Sequence, residues 1–373
     1  MCARVYAAYD DGLRIVDPET GGVSVRLADR AVECLSVASS ATAGTAETAG
    51  AAGAAGPRVL AGTADAGLFR SVDGGKTFER VAADTLGPDG PGPGGPGPGG
   101  SGSGESGSSG SGLDAITAVA TSPHDPSVVW IGTEPSRIYR SADGGVTADL
   151  VPGLTGVPSA GEWSFPPRPE THHVRWIEPC PADPDRWFVG VEAGALLVTP
   201  DGGETWIDRP PGSRRDNHAL ATHPGAPDRV YAAAGDGFAE SDDRGESWRV
   251  VDRDLDHGYV WGLAVDPGDP ETALVSAASG PGAAHSRGEA YLYRRVASGE
   301  RSETSGPRFE RLDDRGMPTG TGTYRAVLAS GREDGEIWAL HDRGLYRTRD
   351  AGGSFERVPA SLPERAARAL AVD

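Results

Sequence analysis

Apolar and polar residues alternate in short runs along most of the chain, as in Val59–Thr63 followed by Gly67–Ser71, or Ile337–His341 followed by Gly344–Thr348. Runs of about four to six residues with a period of two, parted by Gly and Asp, predict antiparallel strands joined by tight turns. A further run opens at Phe78, Trp206, Trp248 and Phe355, so each pair of strands continues into another. Helical periodicity is scarce, and the expected class is all-β.

The turn before that last strand repeats. It reads SVDGGKTF from Ser71, SADGGVTA from Ser141, TPDGGETW from Thr199, SDDRGESW from Ser241 and TRDAGGSF from Thr348. The shared form is Ser/Thr-x-Asp-x-Gly-x-Thr/Ser-aromatic, broken only by Ala148 at the aromatic position. An Asp carboxylate accepts backbone N–H bonds of its own turn, and Gly supplies positive φ there. Asp73, Asp143, Asp201, Asp243 and Asp350 are therefore read as structural, because one residue type at one position of five units makes five identical turns.

A strand also precedes each pair, marked by Pro-containing loops that end at Pro126, Pro184, Pro227 and Pro270. Aligning on these loops gives seven units. The first lacks its opening strand, while the chain ends in ALAVD, which matches GLAVD at the opening of the sixth unit. A C-terminal strand completing the first sheet closes a ring and removes its exposed edges. Two segments fall outside the pattern, 39–57 (Ala, Gly, Thr) and 84–112 (Gly, Pro, Ser), and both are expected to be flexible insertions in one domain spanning 1–373. Without them about 46 residues remain per unit, near the ~40–45 of a four-stranded propeller blade. A seven-bladed β-propeller is expected.

Composition narrows the function classes. The chain has 373 residues and a formal net charge of −19, with Lys76 its single lysine, Asn217 its single asparagine and no glutamine. Such a surface cannot supply the counterion release that drives nucleic-acid affinity, so neither nucleic acid nor an anionic membrane is an expected partner. Acid excess with lysine nearly eliminated suits a salt-loaded cytoplasm, where screening relieves self-repulsion, and resembles proteins of halophilic archaea. The N-terminus turns acidic too early for a secretion signal, and no run approaches a membrane span, so a cytoplasmic monomer is expected. Cys2, Cys34 and Cys180 are scattered, which indicates buried thiols and neither disulfides nor a zinc site.

The repeated turn is similar to the Asp-box, or BNR repeat, of β-propeller proteins, and the resemblance covers the chain outside the two insertions. That family includes sialidases and other glycoside hydrolases, sortilin-type sorting receptors and photosystem II assembly factors. The resemblance implies that the Asp-box marks the fold and lies away from the ligand site. Sialidases of this kind bind a sugar carboxylate with three arginines and use a Tyr/Glu nucleophile pair with an Asp acid. This chain lacks their early Arg-Ile-Pro and has seven predicted blades against their six.

In a propeller the loops entering the inner strands form the face where ligands usually bind. Those positions hold Glu33 and Cys34, Asp114 and Thr117, His172, His173, Arg175 and Trp176, Asp216, Asn217 and His218, His257, Tyr259 and Trp261, Tyr324 and Arg325, and Arg365 and Arg368. Arginine, histidine and aromatic rings gathered at one end of an acidic protein suit recognition of an anionic or carbohydrate ligand or a protein partner. The ligand-binding set is His173, Arg175, Trp176, Asn217, His218, Tyr259, Trp261, Tyr324, Arg325 and Arg368. The competing expectation is that Arg175, Arg325 and Arg368 pair with acids of neighbouring blades while Trp176 and Trp261 are core. No metal and no cofactor are expected, since His172, His173, His218 and His257 show no ligand spacing such as HExxH. A non-catalytic scaffold is the first expectation. The alternative is a sialidase-like glycoside hydrolase on the same face, with Tyr324 or Tyr259 as nucleophile and its carboxylates drawn from Glu33, Asp114, Glu170 and Asp216.

Overall fold

The alternating runs form strands, and the strands form seven sheets around an axis. The computed structural model describes residues 3–38, 56–86, 114–297 and 306–373. Each blade is a four-stranded antiparallel meander, and the sixth carries an additional short pairing of Gly320–Thr321 with Glu289 and Ala290. The inner strands are Val32–Ala38, Ala115–Thr121, Val174–Pro179, Asn217–Thr222, Tyr259–Asp266, Val327–Ser330 and Ala369–Val372. The last belongs to the first blade: Ala369–Val372 pairs with Val5–Ala8 in the register Val5↔Val372 to Ala8↔Ala369. The Asp373 carboxylate accepts the Arg4 amide at 2.7 Å and the Tyr6 hydroxyl at 3.2 Å, so chain end and chain start are joined by side chain as well as ladder.

The core lies between blades, because each sheet has two apolar faces and each face meets a neighbour. Trp130 of the third blade stacks on Trp187 of the fourth with ring centroids 4.7 Å apart, and both are fully buried. Burying each such ring contributes on the order of 2–3 kcal/mol.

The repeated turns have one geometry. In the second blade Asp73 Oδ1 accepts the Thr77 and Lys76 amides at 3.0 and 2.9 Å and the Ser71 hydroxyl at 2.8 Å, while Oδ2 accepts the Thr77 hydroxyl at 2.7 Å. These bonds overcome partial burial and hold the Asp73 carboxyl at about 2. The second glycine of the motif does more than adopt positive φ. A Cβ on Gly203 would lie 2.3 Å from Val151, and one on Gly245 2.6 Å from Phe188, each in the preceding blade. The motif thus fastens one blade to the one before it. Its aromatic residue stands one position ahead of the outer strand instead of opening it, since those strands are Glu79–Val81, Ile207–Asp208, Arg249–Val250 and Glu356–Arg357.

Two details differ from expectation. In the sixth blade the Pro loop is a tight hairpin, Asp266↔Asp269, with Pro270 inside the strand Asp269–Ala278. At the start of the segment 84–112, Ala83–Leu86 forms a helical turn and Leu86 is buried against Leu68 and Val81. One leucine with a closed hydrogen bond to Ala82 is enough to dock this turn on the second blade. The remainder of that segment, and most of 39–57, lie outside the described residues. Cys34 and Cys180 are buried free thiols. Among the described residues no helix is long and apolar enough to cross a membrane.

Candidate functional site

Five of the seven inner strands break their register near their first residues, between Val32 and Cys34, Ile116 and Ala118, Val174 and Trp176, Asn217 and Ala219, and Val260 and Gly262. The extra residue in each bulge is Glu33, Thr117, Arg175, His218 or Trp261. A bulge re-aims one side chain and bends the strand, so the same irregularity in five blades delivers five side chains to one end of the channel. Arg368 precedes the inner strand of the first blade and lines both cavities at the mouth, whereas Arg325, ahead of the inner strand of the seventh blade, is packed on Trp261 and lines neither.

Two cavities meet at this end of the channel. A channel cavity of about 330 Å³ is lined by all seven inner strands, with Glu178 in its wall. A wider vestibule of about 690 Å³ lies outside and is lined by Glu33, Glu134, Arg168, His173, Arg175 and Arg368. Glu33, Thr117, Arg175 and Arg368 line both. The segment 152–173 and the turn Ala283–Arg287 flank the mouth; Arg168 of the former forms a two-pronged pair with Glu134 at 2.9 and 2.6 Å.

The three arginines are held differently. Arg175 Nε lies 3.5 Å from Glu192 Oε2, and Arg368 lies 3.8 Å from Glu33. Arg325 has no hydrogen bond or ion pair to any described residue and stacks on Trp261, its guanidinium carbon 4.1 Å from the ring centroid. Arg175 lies over the same ring at 5.0 Å. Burial, then the charges of Arg175 and Arg368, lower the Arg325 guanidinium to about 9, which leaves it charged at neutral pH. Pairing with acids thus accounts for Arg175 and Arg368 and does not account for Arg325.

Histidines and carboxylates form a second group beside it. His218 is fully buried, with Nδ1 2.7 Å from the Val260 carbonyl, so Nδ1 carries the proton. Nε2 has no hydrogen-bond partner and faces Asp216 Oδ2 at 3.7 Å and Glu192 Oε1 at 3.9 Å. Glu192 Oε2 is held by His173 Nε2 at 3.0 Å, and Asp216 Oδ1 accepts the Ala193 amide at 2.9 Å. Burial raises the Glu192 carboxyl, but the His173 hydrogen bond and the neighbouring Arg175 charge prevail and hold it at about 2. Burial pushes the Asp216 carboxyl up and the His218 imidazole down. His285 from the Ala283–Arg287 turn packs 4.7 Å from Trp261 and bonds the Tyr259 hydroxyl at 2.7 Å; burial and the charge of Arg325 lower it to about 4, so it accepts that proton.

Other residues at these positions are placed elsewhere. Asn217 is fully buried, donates to the Arg214 carbonyl at 3.0 Å and backs against Gly190. The bulge sends His218 to the mouth and its neighbour into the wall. His257 stacks on Tyr291 and bonds Tyr293, and His172 packs edge-on against Trp163, so the four histidines do not converge. Asp114 pairs with Arg137. Tyr324 is half-buried, its hydroxyl 3.4 Å from the Ser286 carbonyl, while Trp176 bonds Glu178 in the channel wall at 3.1 Å. Arg365 pairs with Asp10 and Asp11 on the first blade. Glu192, Glu134, Arg168 and His285 carry no mark in the strand pattern. A signal for the first two existed: the hairpins between second and third strands, which open at the same end as the inner strands begin, place Asp11, Asp65, Glu134, Glu192, Asp236 and Asp342 around the mouth.

No family model and no curated protein matches the sequence significantly. Solved structures are similar to it in fold. An ancestral GH74 enzyme is 12% identical over 99% of this chain and 40% of that chain, with a TM-score of 0.57. The Niastella koreensis GH74 enzyme is 15% identical over 94% of this chain and 51% of that chain, with a TM-score of 0.61. YCF48 from Cyanidioschyzon merolae is 13% identical over 91% of this chain and 94% of that chain, with a TM-score of 0.55. What they share with the chain is the β-propeller. The chain spans 40% and 51% of the two GH74 enzymes, so those are substantially longer molecules.

Proposed function

We propose that the chain is a non-catalytic binding propeller of the Asp-box type that captures a carboxylate at the channel mouth, presented by an acidic sugar or by the terminus of a protein partner. The observation that carries this reading is Arg325, a buried guanidinium on the face of Trp261 with no anion within ion-pair distance among the described residues, Glu192 acting on it only from farther away. An ionised group removed from water costs several kcal/mol unless it is paired, and an arriving carboxylate supplies the pair with a fork of two parallel hydrogen bonds. Arg175 and Arg368, which line the cavities at the mouth, add positive potential.

Glycoside hydrolysis at this face is supported by the Glu192 and Asp216 oxygens, which lie within 4.8 Å of one another, near the ~5 Å of retaining glycosidases. It is disfavoured by Tyr259, which burial and then the charges of Glu192 and Asp216 push well above the ordinary tyrosine range, away from the nucleophilic phenolate. Calorimetry in high salt with glucuronate and with a tetrapeptide bearing a free C-terminus, each against its amide, tests the proposal. At least one acid should bind, its amide more weakly by about tenfold or more, and Arg325→Met should abolish the difference. Equal affinity for acid and amide, no binding of either acid, or turnover of aryl glycosides that Asp216→Asn removes would overturn it.

A further inference from the structure

We propose that Glu192, Asp216 and His218 form a divalent transition-metal site, for zinc or manganese, beside the arginine-bearing mouth. It does not depend on carboxylate capture, since it uses different side chains and different chemistry.

The ligand atoms are already sorted. Each of the three side chains has one atom committed to the protein and one left over: Nδ1 of His218 to the Val260 carbonyl, Oδ1 of Asp216 to the Ala193 amide, Oε2 of Glu192 to His173. The remaining Nε2, Oδ2 and Oε1 face one another within 4.8 Å. A carbonyl that accepts from Nδ1–H fixes the tautomer in which Nε2 presents a lone pair, the second-sphere arrangement of metal-bound histidines. That lone pair is fully buried, without a donor, and aimed at two carboxylate oxygens, which have only lone pairs to offer in return when ionised. A metal cation satisfies all three at once, and it competes with a proton on Nε2, which would face the same two oxygens.

The packing favours the same occupant. One imidazole with two carboxylates is a nitrogen and oxygen donor set suited to zinc or manganese and poor for soft monovalent ions. Bonds of about 2.0–2.2 Å place tetrahedral ligands about 3.3 Å apart. The Nε2 separations of 3.7 and 3.9 Å therefore close with movements of about half an ångström, while the two carboxylate oxygens, within 4.8 Å of each other, close by up to about 1.5 Å through side-chain rotation. Gly235 makes room for the Asp216 carboxylate, because a Cβ there would lie 1.9 Å from Oδ2. The rings of Tyr259 and Trp261 shield His218, at 4.9 and 4.4 Å between centroids. Arg175 on the far oxygen of Glu192 opposes the metal charge, which tempers affinity without blocking the facing oxygen.

The full chain, stripped with chelator and dialysed into high salt, would be titrated with zinc and manganese chlorides by calorimetry and Trp fluorescence, with bound metal counted by elemental analysis. One equivalent should bind, and cobalt substitution should give visible absorption of a low-coordinate nitrogen and oxygen site. Asp216→Asn, which keeps the acceptor for Ala193, should weaken binding by about a hundredfold or more. His173→Gln, which at this site touches only the committed oxygen of Glu192, should weaken it by about tenfold to a hundredfold. Circular dichroism and metal-free melting of each variant establish that it is folded, and Gly235→Ala gives a third route to the same loss. Less than a fifth of an equivalent retained by the wild type, or equal metal affinity in wild type and folded Asp216→Asn, would overturn the assignment.

Discussion

The Arg325 guanidinium carbon lies 4.1 Å from the centroid of the Trp261 ring, and Arg175 lies 5.0 Å from the same ring, so one indole faces two cations. Cation–π attraction to a desolvated ring contributes roughly 2 kcal/mol, less than the cost of burying an unpaired guanidinium. Arg325→Met should therefore raise stability in the absence of ligand, by about 1–3 kcal/mol, while removing carboxylate binding. Denaturant unfolding and calorimetry on the same samples measure both effects. A stability loss would show that Arg325 has a protein anion after all.

Glu178 in the channel wall gives a pH signature. Burial raises its carboxyl to about 7, against the opposing hydrogen bonds of Trp176 and Thr222. The native state then holds a proton that the unfolded chain releases near pH 4.5, so this group's contribution is full below that pH and declines as pH rises toward 7. Glu178→Gln should flatten this decline and, at pH 7.5, stabilise the protein by about 1–2 kcal/mol. Melting temperatures of both proteins from pH 4.5 to 8 check the slope; parallel profiles would refute it.

Neighbouring glycines of one motif should respond unequally. Gly202 and Gly203 both have positive φ, +72° and +96°, but a Cβ on Gly202 meets only Asp185 at 3.7 Å whereas one on Gly203 meets Val151 at 2.3 Å. The first position already carries side chains elsewhere, as Arg244 at φ 58° and Ala351 at φ 52°. Gly202→Ala should cost about 1 kcal/mol and Gly203→Ala more than about 2. Chemical denaturation of the pair distinguishes interblade packing from turn strain, since strain alone predicts equal losses.

Removing residues 369–373 should destroy cooperative unfolding. The truncation strips Val5–Ala8 of its ladder partner, removes the two side-chain hydrogen bonds and the backbone bond of Asp373 to Arg4 and Tyr6, and exposes an edge strand of buried residues. Such an edge invites pairing with a second chain. Size-exclusion chromatography should show aggregates and calorimetry no single transition; a monomer with one sharp transition would mean that the ring tolerates an open seam.

The strands were legible because alternation, turn chemistry and the match of ALAVD with GLAVD are local or self-similar properties. A period of two settles which face of a strand is apolar, and a repeated Asp and Gly settle a turn, wherever the unit sits in the ring. The mouth was legible only as a set of positions. A register break of one residue decides that His218 points inward and Asn217 into the wall, and both readings satisfy the same pattern of polar residues.

The sequence by itself determined seven units, their four-stranded form, the repeated turns and the closing strand. Tertiary structure alone decided that Glu192 meets His218 from another blade, that Arg175 and Arg368 find carboxylates, and that Arg325 does not. The physical reason is that hydrogen bonding within a hairpin depends on neighbours in the chain. Charge pairing depends on which side chains of separate blades converge within a few ångströms, and that follows only once the ring is packed.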